Sequence, residues 1–115
     1  MQSNIYGKKS EIIASQFLKK KKYKIIETNY KNKIGEIDII AKDKDYLVFV
    51  EVKARLSRAF GDPAEAVDFK KQQKIRDVAQ LYLMQKGKTE EKCRFDVVTI
   101  LGDEQSDINH IIDAF

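Results

Sequence analysis

The sequence predicts an α/β domain, a mixed β-sheet flanked by helices, and three observations lead to it. Helical and extended patterns follow one another in the order α, β, β, β, α, β, β. Residues 35–55, GEIDIIAKDKDYLVFVEVKAR, form the strongest extended pattern: a hairpin whose apolar arms flank a short polar link at Asp43, Lys44 and Asp45. A long helical pattern between the third and fourth strands supplies the crossover that a parallel strand pair requires. At 115 residues the chain makes one domain, residues 1–115, that buries roughly two-thirds of the surface its unfolded form exposes.

The elements follow in order. Ser3 to about Lys20 reads as an amphipathic helix, with Ser3 or Asn4 as cap and Ile13, Ala14, Phe17 and Leu18 as its apolar stripe. Lys19, Lys20, Lys21 and Lys22 close it, where cations favour the carboxyl end of the helix dipole. Tyr23 to Tyr30 makes the first strand, and Lys31, Asn32 and Lys33 turn the chain into the hairpin. Beyond Arg55, Asp62, Pro63 and Glu65 carry the signals of a helix start. That helix is kinked or broken near Phe69, places Val67, Lys71, Ile75, Val78 and Tyr82 on one stripe, and stops at Gly87. Arg94 to Leu101 is a fourth strand and Ile108 to Ala114 a short fifth.

Composition excludes several classes. With 43% hydrophobic and 35% charged residues the chain is globular, and one proline and five glycines leave no linker or low-complexity tract. The first residues lack the apolar core of a signal peptide, and no run approaches the ~20 apolar residues that span a membrane. A cytoplasmic protein is therefore expected. The single cysteine, Cys93, forms no internal disulfide and lacks partners for a zinc site, so it is read as a core residue. The net charge of +4 is unevenly placed, with nine lysines and two glutamates between Lys8 and Lys33, and four acids and no Lys or Arg from Leu101 on. Such polarity suits a face that meets a polyanion, or else a solvated lysine surface.

The hairpin carries the anomaly. Asp38, Glu51 and Lys53 interrupt its apolar arms, although such residues are almost never fully buried unless paired or bound to metal. Strand alternation puts Glu51 and Lys53 on one face with Leu47 and Phe49. A two-residue turn at Asp43-Lys44 sets Asp38 opposite Phe49, and one at Lys44-Asp45 sets it opposite Glu51; a turn one residue longer scatters the group. Two carboxylates and an ammonium on an apolar strand pair make sense around a divalent cation such as Mg²⁺, which takes carboxylate oxygens and keeps several waters. A lysine beside it orients or deprotonates water and offsets charge on a phosphate oxygen, so the implied chemistry is phosphodiester hydrolysis. The alternative is an ordinary Glu51–Lys53 ion pair with Asp38 at a solvent edge. The apolar LVFV before Glu51 argues against it, because so apolar a strand is central.

Other charged residues have two readings each. Glu11, on or beside the buried stripe, either reaches this site or pairs with a lysine such as Lys8. Lys71 either projects toward the cleft of Lys53 or snorkels at the stripe's edge. Asp96 either supports the site or caps a neighbouring arginine, and His110 takes a structural role at the sheet edge. Lys19, Lys20, Lys21, Lys22, Lys31, Lys33, Arg55 and Lys71 are the expected phosphate contacts. No helix-turn-helix, zinc finger or RNA-recognition signature is present, so DNA would be recognised by backbone and shape.

Glu11 on the first helix, Asp38 on one strand and Glu51-Val52-Lys53 on the next resemble the PD-(D/E)xK nuclease superfamily, whose restriction-endonuclease-like core has this element order. More closely, GEIDIIAKD, LVFVEVKAR, FGDPAEAV, Lys71-Gln72, Tyr82-Leu83, CRFDVV and the closing DAF resemble the YraN-like family of small bacterial proteins, over nearly the whole chain. The resemblance implies that Asp38, Glu51 and the Val52 carbonyl bind Mg²⁺ or Mn²⁺ and that Lys53 assists the attacking water. It implies a role for Glu11 like that of the first-helix glutamate of archaeal Holliday-junction resolvases, whose pairing as dimers on a two-fold junction raises the expectation of a homodimer. Two departures are Ile37 in place of proline before Asp38 and Ala54 where threonine is commoner; neither removes a proposed ligand. The rival expectation is a module of the same fold that holds DNA or a protein partner without cutting.

Overall fold

The computed structural model describes residues 2–55, 67–102 and 107–115, with side chains from residue 8 onward. A helix α1 (Gln2–Lys20) leads into three strands, β1 (Lys24–Lys31), β2 (Glu36–Asp43) and β3 (Tyr46–Arg55); a second helix α2 (Phe69–Lys86) precedes β4 (Lys92–Leu101) and β5 (Ile108–Ile111). The five strands form one sheet in the order β1-β2-β3-β4-β5. β3 and β4 run parallel and the other neighbours antiparallel, so the sheet is mixed, as the element order predicts.

The faces of β3 explain the layering. Leu47 and Phe49 pack under α2 with Ile75, Val78, Ala79 and Tyr82, whereas Val48 and Val50 pack under α1 with Ile13, Ala14 and Leu18. Period-two alternation in β3 thus gives each helix its own apolar surface. Phe49 is wholly buried, meets the Tyr82 ring edge-on at 5.8 Å and stacks on Phe95 at 5.5 Å. Tyr30 packs rather than lying open, edge-on to Tyr82 at 5.0 Å.

The hairpin turns at Lys44 and Asp45, so Asp43 pairs with Tyr46 and Ile39 with Val50. Lys44 takes the left-handed φ of 54° that such a tight turn asks of its first central residue. Of the two registers open from sequence, this is the one that sets Asp38 opposite Glu51. The alternation in β2 then breaks: Ile37 packs under α2 with Ile40, while Ile39 packs under α1. The break coincides with Asn29, opposite Asp38 in the β1–β2 register, which adopts φ 52°. Asn tolerates this conformation better than most residues, and one such residue reorients the strand locally.

Several boundaries differ from expectation. α1 starts at Gln2, ahead of Ser3 and Asn4, whose side chains lie outside the described residues. The helix start at Asp62, Pro63 and Glu65 also lies outside them; α2 begins where a kink was expected, capped by Asp68, whose Oδ1 accepts from the Lys71 N–H at 2.9 Å. Its end is as expected, with Gly87 at φ 65° donating to Leu83 and Met84. β4 begins two residues early, at Lys92. β5 stops at Ile111 because Asp113 turns at φ 56° and its N–H goes to Asp96 Oδ1 at 3.0 Å. Cys93 is half-buried beside the α2-facing core, and burial pushes its thiol pKa up.

Candidate functional site

Glu51 and Lys53 leave the buried part of β3 at its carboxyl end, on the face that α2 covers. Glu51 is only 8% exposed, and Lys53 is half-buried. One step beyond the Ile39–Val50 pair, Asp38 comes across from Glu51 at a non-hydrogen-bonded position of the hairpin, the kind in which opposed side chains lie closest. Continuing the ladder would send the Val52 N–H to β2 at Ile37. Instead it donates to Asp38 Oδ2 at 2.8 Å, so a carboxylate replaces the backbone partner where the strands part.

The electrostatics follow from this crowding. Burial, and then the hydrogen-bonding contact with Glu51, push the Asp38 pKa up to about 8. Asp38 thus holds its proton more tightly than an ordinary carboxyl, directly beside a second acid. Lys71, from the first turn of α2, reaches Glu51 Oε2 at 3.4 Å. Burial opposes its charge, but Glu51, with Asp38 and Lys53 adding to it, raises its pKa on balance. Burial lowers the Lys53 pKa, with Lys71 and Arg55 adding to the effect and Glu51 and Asp38 opposing it. A less basic ammonium releases a proton more readily.

Glu11 enters from α1. Burial and then Asp38 raise its pKa to about 7. Its Oε1 is buried with no hydrogen-bond partner among the described residues. Of the two readings of Glu11 from sequence, no pairing with Lys8 appears among the described contacts, and its charge is felt by that of Asp38.

These residues fit a hard divalent cation. Asp38 and Glu51 could hold it, and the Val52 carbonyl lies on the same strand edge as the N–H that Asp38 takes. Among the described residues no three His, Cys, Asp or Glu side chains form a ready-made cage. A donor set of two carboxylates and a carbonyl is the partial kind that Mg²⁺ completes with water.

The expected phosphate contacts divide. Lys19, Lys20, Lys21 and Lys22 are exposed, but Lys19 and Lys20 lie eight and nine residues beyond Glu11, ~12–14 Å along the helix, and Lys21 and Lys22 follow in the turn after it. Lys21 is already engaged, with Nζ 2.7 Å from His110 Nδ1 and over the Phe17 ring. Lys31 makes a loose surface pair with Glu36 at 3.9 Å, worth little in water. Lys33 is exposed, Arg55 is half-buried and donates to the Ala54 carbonyl, and Lys71 belongs to the carboxylate site itself.

Asp96 stands apart from this site and takes the arginine reading. Wholly buried, it accepts from Arg94 Nε at 2.9 Å, from Tyr23 and from the Asp113 N–H, and lies 2.7 Å from His110 Nε2. Burial alone would raise its pKa, yet His110 and Arg94 hold it down at about 2. Arg94 also meets Asp43 at 3.1 Å, so the cluster ties β5 and the C-terminal residues to the turn of the hairpin.

Residues 10–100 match the model of "Uncharacterised protein family UPF0102". The chain is 50% identical over 113 residues to a UPF0102 protein of Caldanaerobacter subterraneus subsp. tengcongensis, covering 95% of this chain and 93% of the relative. It is 44% identical over 113 residues to a UPF0102 protein of Alkaliphilus metalliredigens, covering 98% and 99%. A UPF0102 protein of Clostridioides difficile is 47% identical over 109 residues, covering 95% of each. Among the described residues no helix is long and apolar enough to cross a membrane.

Proposed function

The chain belongs to the UPF0102 family, and from the site it carries we propose that it is a divalent-metal-dependent nuclease of the PD-(D/E)xK type that hydrolyses DNA phosphodiester bonds. The observation that supports this most is the facing of Asp38 and Glu51 at the end of an apolar hairpin, where burial first and then Glu51 raise the Asp38 pKa. Two acids so placed weaken a fold unless something positive joins them.

Asp38, Glu51 and the Val52 carbonyl would hold Mg²⁺ or Mn²⁺. When bound, the metal supplies charge neutralisation at the phosphate and a more acidic water. Lys53, with its lowered pKa, accepts a proton from the attacking water or donates to the phosphate oxygen as charge builds on it. Lys71 holds Glu51 in place through its 3.4 Å contact. Glu11, whose pKa burial and then Asp38 raise, would add a carboxyl that orients water at the edge of the site. The lysines of α1 and its following turn contact backbone phosphates on either side, without reading bases.

The test is a nicking assay on supercoiled and on branched DNA in Mg²⁺ or Mn²⁺, run beside Glu51→Ala. Cleavage by the unaltered protein that disappears in the variant supports a nuclease. Binding without cleavage in either metal identifies instead a module that holds DNA on this fold.

A further inference from the structure

Beside the carboxylate site, α1 and β1 enclose a groove of about 380 Å³, in the size range of small-ligand sites. Ser15 and Gln16 of α1 and Thr28 and Asn29 of β1 line it, together with Glu11. Ser15 is 9% exposed, and its Oγ makes no hydrogen bond among the described residues. The other buried side-chain atom of which this is true is Glu11 Oε1, in the same groove. A buried polar atom left unpaired costs about 1–3 kcal/mol, so two of them on side chains of one hollow point to an occupant toward which these side chains turn and pair.

The lining identifies the occupant's chemistry. Two hydroxyls and two carboxamides present donors and acceptors together, which suits the mixed edge of a nucleobase better than a metal ion or a simple anion. Ile12, 58% exposed at the groove, offers an apolar surface for the face of a ring. Lys8 and Lys19 stand at the two ends, ~16 Å apart along the helix axis, where the phosphates flanking such a base would lie. Two of the lining residues relate the groove to the carboxylate site: Glu11, whose pKa Asp38 helps to raise, and Asn29, which lies across from Asp38 in the β1–β2 register. A stacked, paired base has its edge committed and does not enter a pocket of this kind; an unpaired one does.

We propose that this groove receives one unpaired nucleotide of the substrate strand next to the scissile phosphate, so that the substrate class is DNA with unpaired bases beside the cut, rather than uniform duplex. The identification of the strand as substrate rests on the nuclease reading above; the binding of the nucleotide does not.

The experiment is therefore a binding one. Backbone amide shifts of the full chain are followed in EDTA as a single-stranded oligonucleotide of four thymidylates is added, and again with a blunt duplex. The largest single-strand shifts are expected at Ser15, Gln16, Thr28 and Asn29. Gln16→Ala, at an exposed position that does not threaten the fold, should weaken oligonucleotide binding about tenfold and duplex binding less than twofold. Ser15→Val should act likewise. Absence of shifts at these four residues, shifts confined to other surfaces, or variants that bind as the unaltered protein does would overturn the proposal. Failure to cut any DNA in Mg²⁺ or Mn²⁺ is a separate result that removes the nuclease reading and leaves the groove to be judged on its own shifts.

Discussion

Asp38 Oδ2 accepts the Val52 N–H at 2.8 Å, in the position where the antiparallel ladder would have used a carbonyl of β2. The contact holds the carboxyl group across from Glu51 on a strand that has begun to diverge. It leaves the second oxygen of Asp38 for whatever lies between the two acids.

The pH dependence of the metal-free protein follows. Asp38 titrates at about 8 in the folded chain against an ordinary value of 3.8, so its contribution to stability is complete below pH ~4 and is lost as pH rises through about 8. Asp38→Asn keeps an acceptor for Val52 and gains a donor for Glu51. Urea denaturation in EDTA should find the variant equal to or weaker than the unaltered protein at pH 4, and about 1–3 kcal/mol more stable at pH 8.5. Saturating Mn²⁺ at pH 8.5 should stabilise the unaltered protein and leave the variant nearly unmoved.

Lys53→Met should separate chemistry from binding. Loss of a positioned acid–base group costs ~10²–10⁴ in rate. Single-turnover cleavage should fall by that amount while DNA affinity, measured by fluorescence anisotropy, changes by no more than a few-fold.

Lys71 competes for the same carboxylate that would meet the metal. Its ammonium lies 3.4 Å from Glu51 and is about half-exposed, so the pair is worth less than ~1 kcal/mol. Lys71→Ala should therefore tighten Mn²⁺ binding by a few-fold in calorimetry. It should also reduce the cleavage rate, because Glu51 is less firmly held. Weakened metal binding would show that Lys71 is needed to shape the site.

Much of this site is legible from residues 35–55, because hairpin register and strand alternation are local. A two-residue turn at Lys44 and Asp45 is enough to oppose Asp38 to Glu51, and LVFV is enough to make β3 central. The position of Lys71 was readable only as one of two options, since its contact with Glu51 depends on how α2 docks. Asp96 looked like an interruption of a strand. Its partners Tyr23 and His110 are 73 and 14 residues away, and no local pattern announces pairings at such distances. The groove was not legible at all: Ser15 and Asn29 are ordinary residues for a helix and a strand end. What distinguishes them is an unpaired oxygen and a left-handed φ.

The buried Asp96 cluster should matter for stability and not for cleavage. Removing one member leaves Arg94 and His110 without their buried acceptor, so Asp96→Ala should cost ~3–5 kcal/mol in denaturant unfolding. Asp96 titrates at about 2 against 3.8 ordinarily. Its contribution is therefore present above pH ~4 and lost as pH falls through about 2, opposite in sense to that of Asp38. Cleavage rate per folded molecule should be unchanged.

The central claim is that Asp38 and Glu51 share a divalent cation. Anomalous diffraction from a crystal soaked in Mn²⁺ at pH 8 tests it most directly. The account predicts one peak within coordinating distance of both carboxylates and of the Val52 carbonyl. A saturating soak that leaves no peak there, or a peak on other side chains while Asp38 and Glu51 stay hydrogen-bonded to each other, would contradict it.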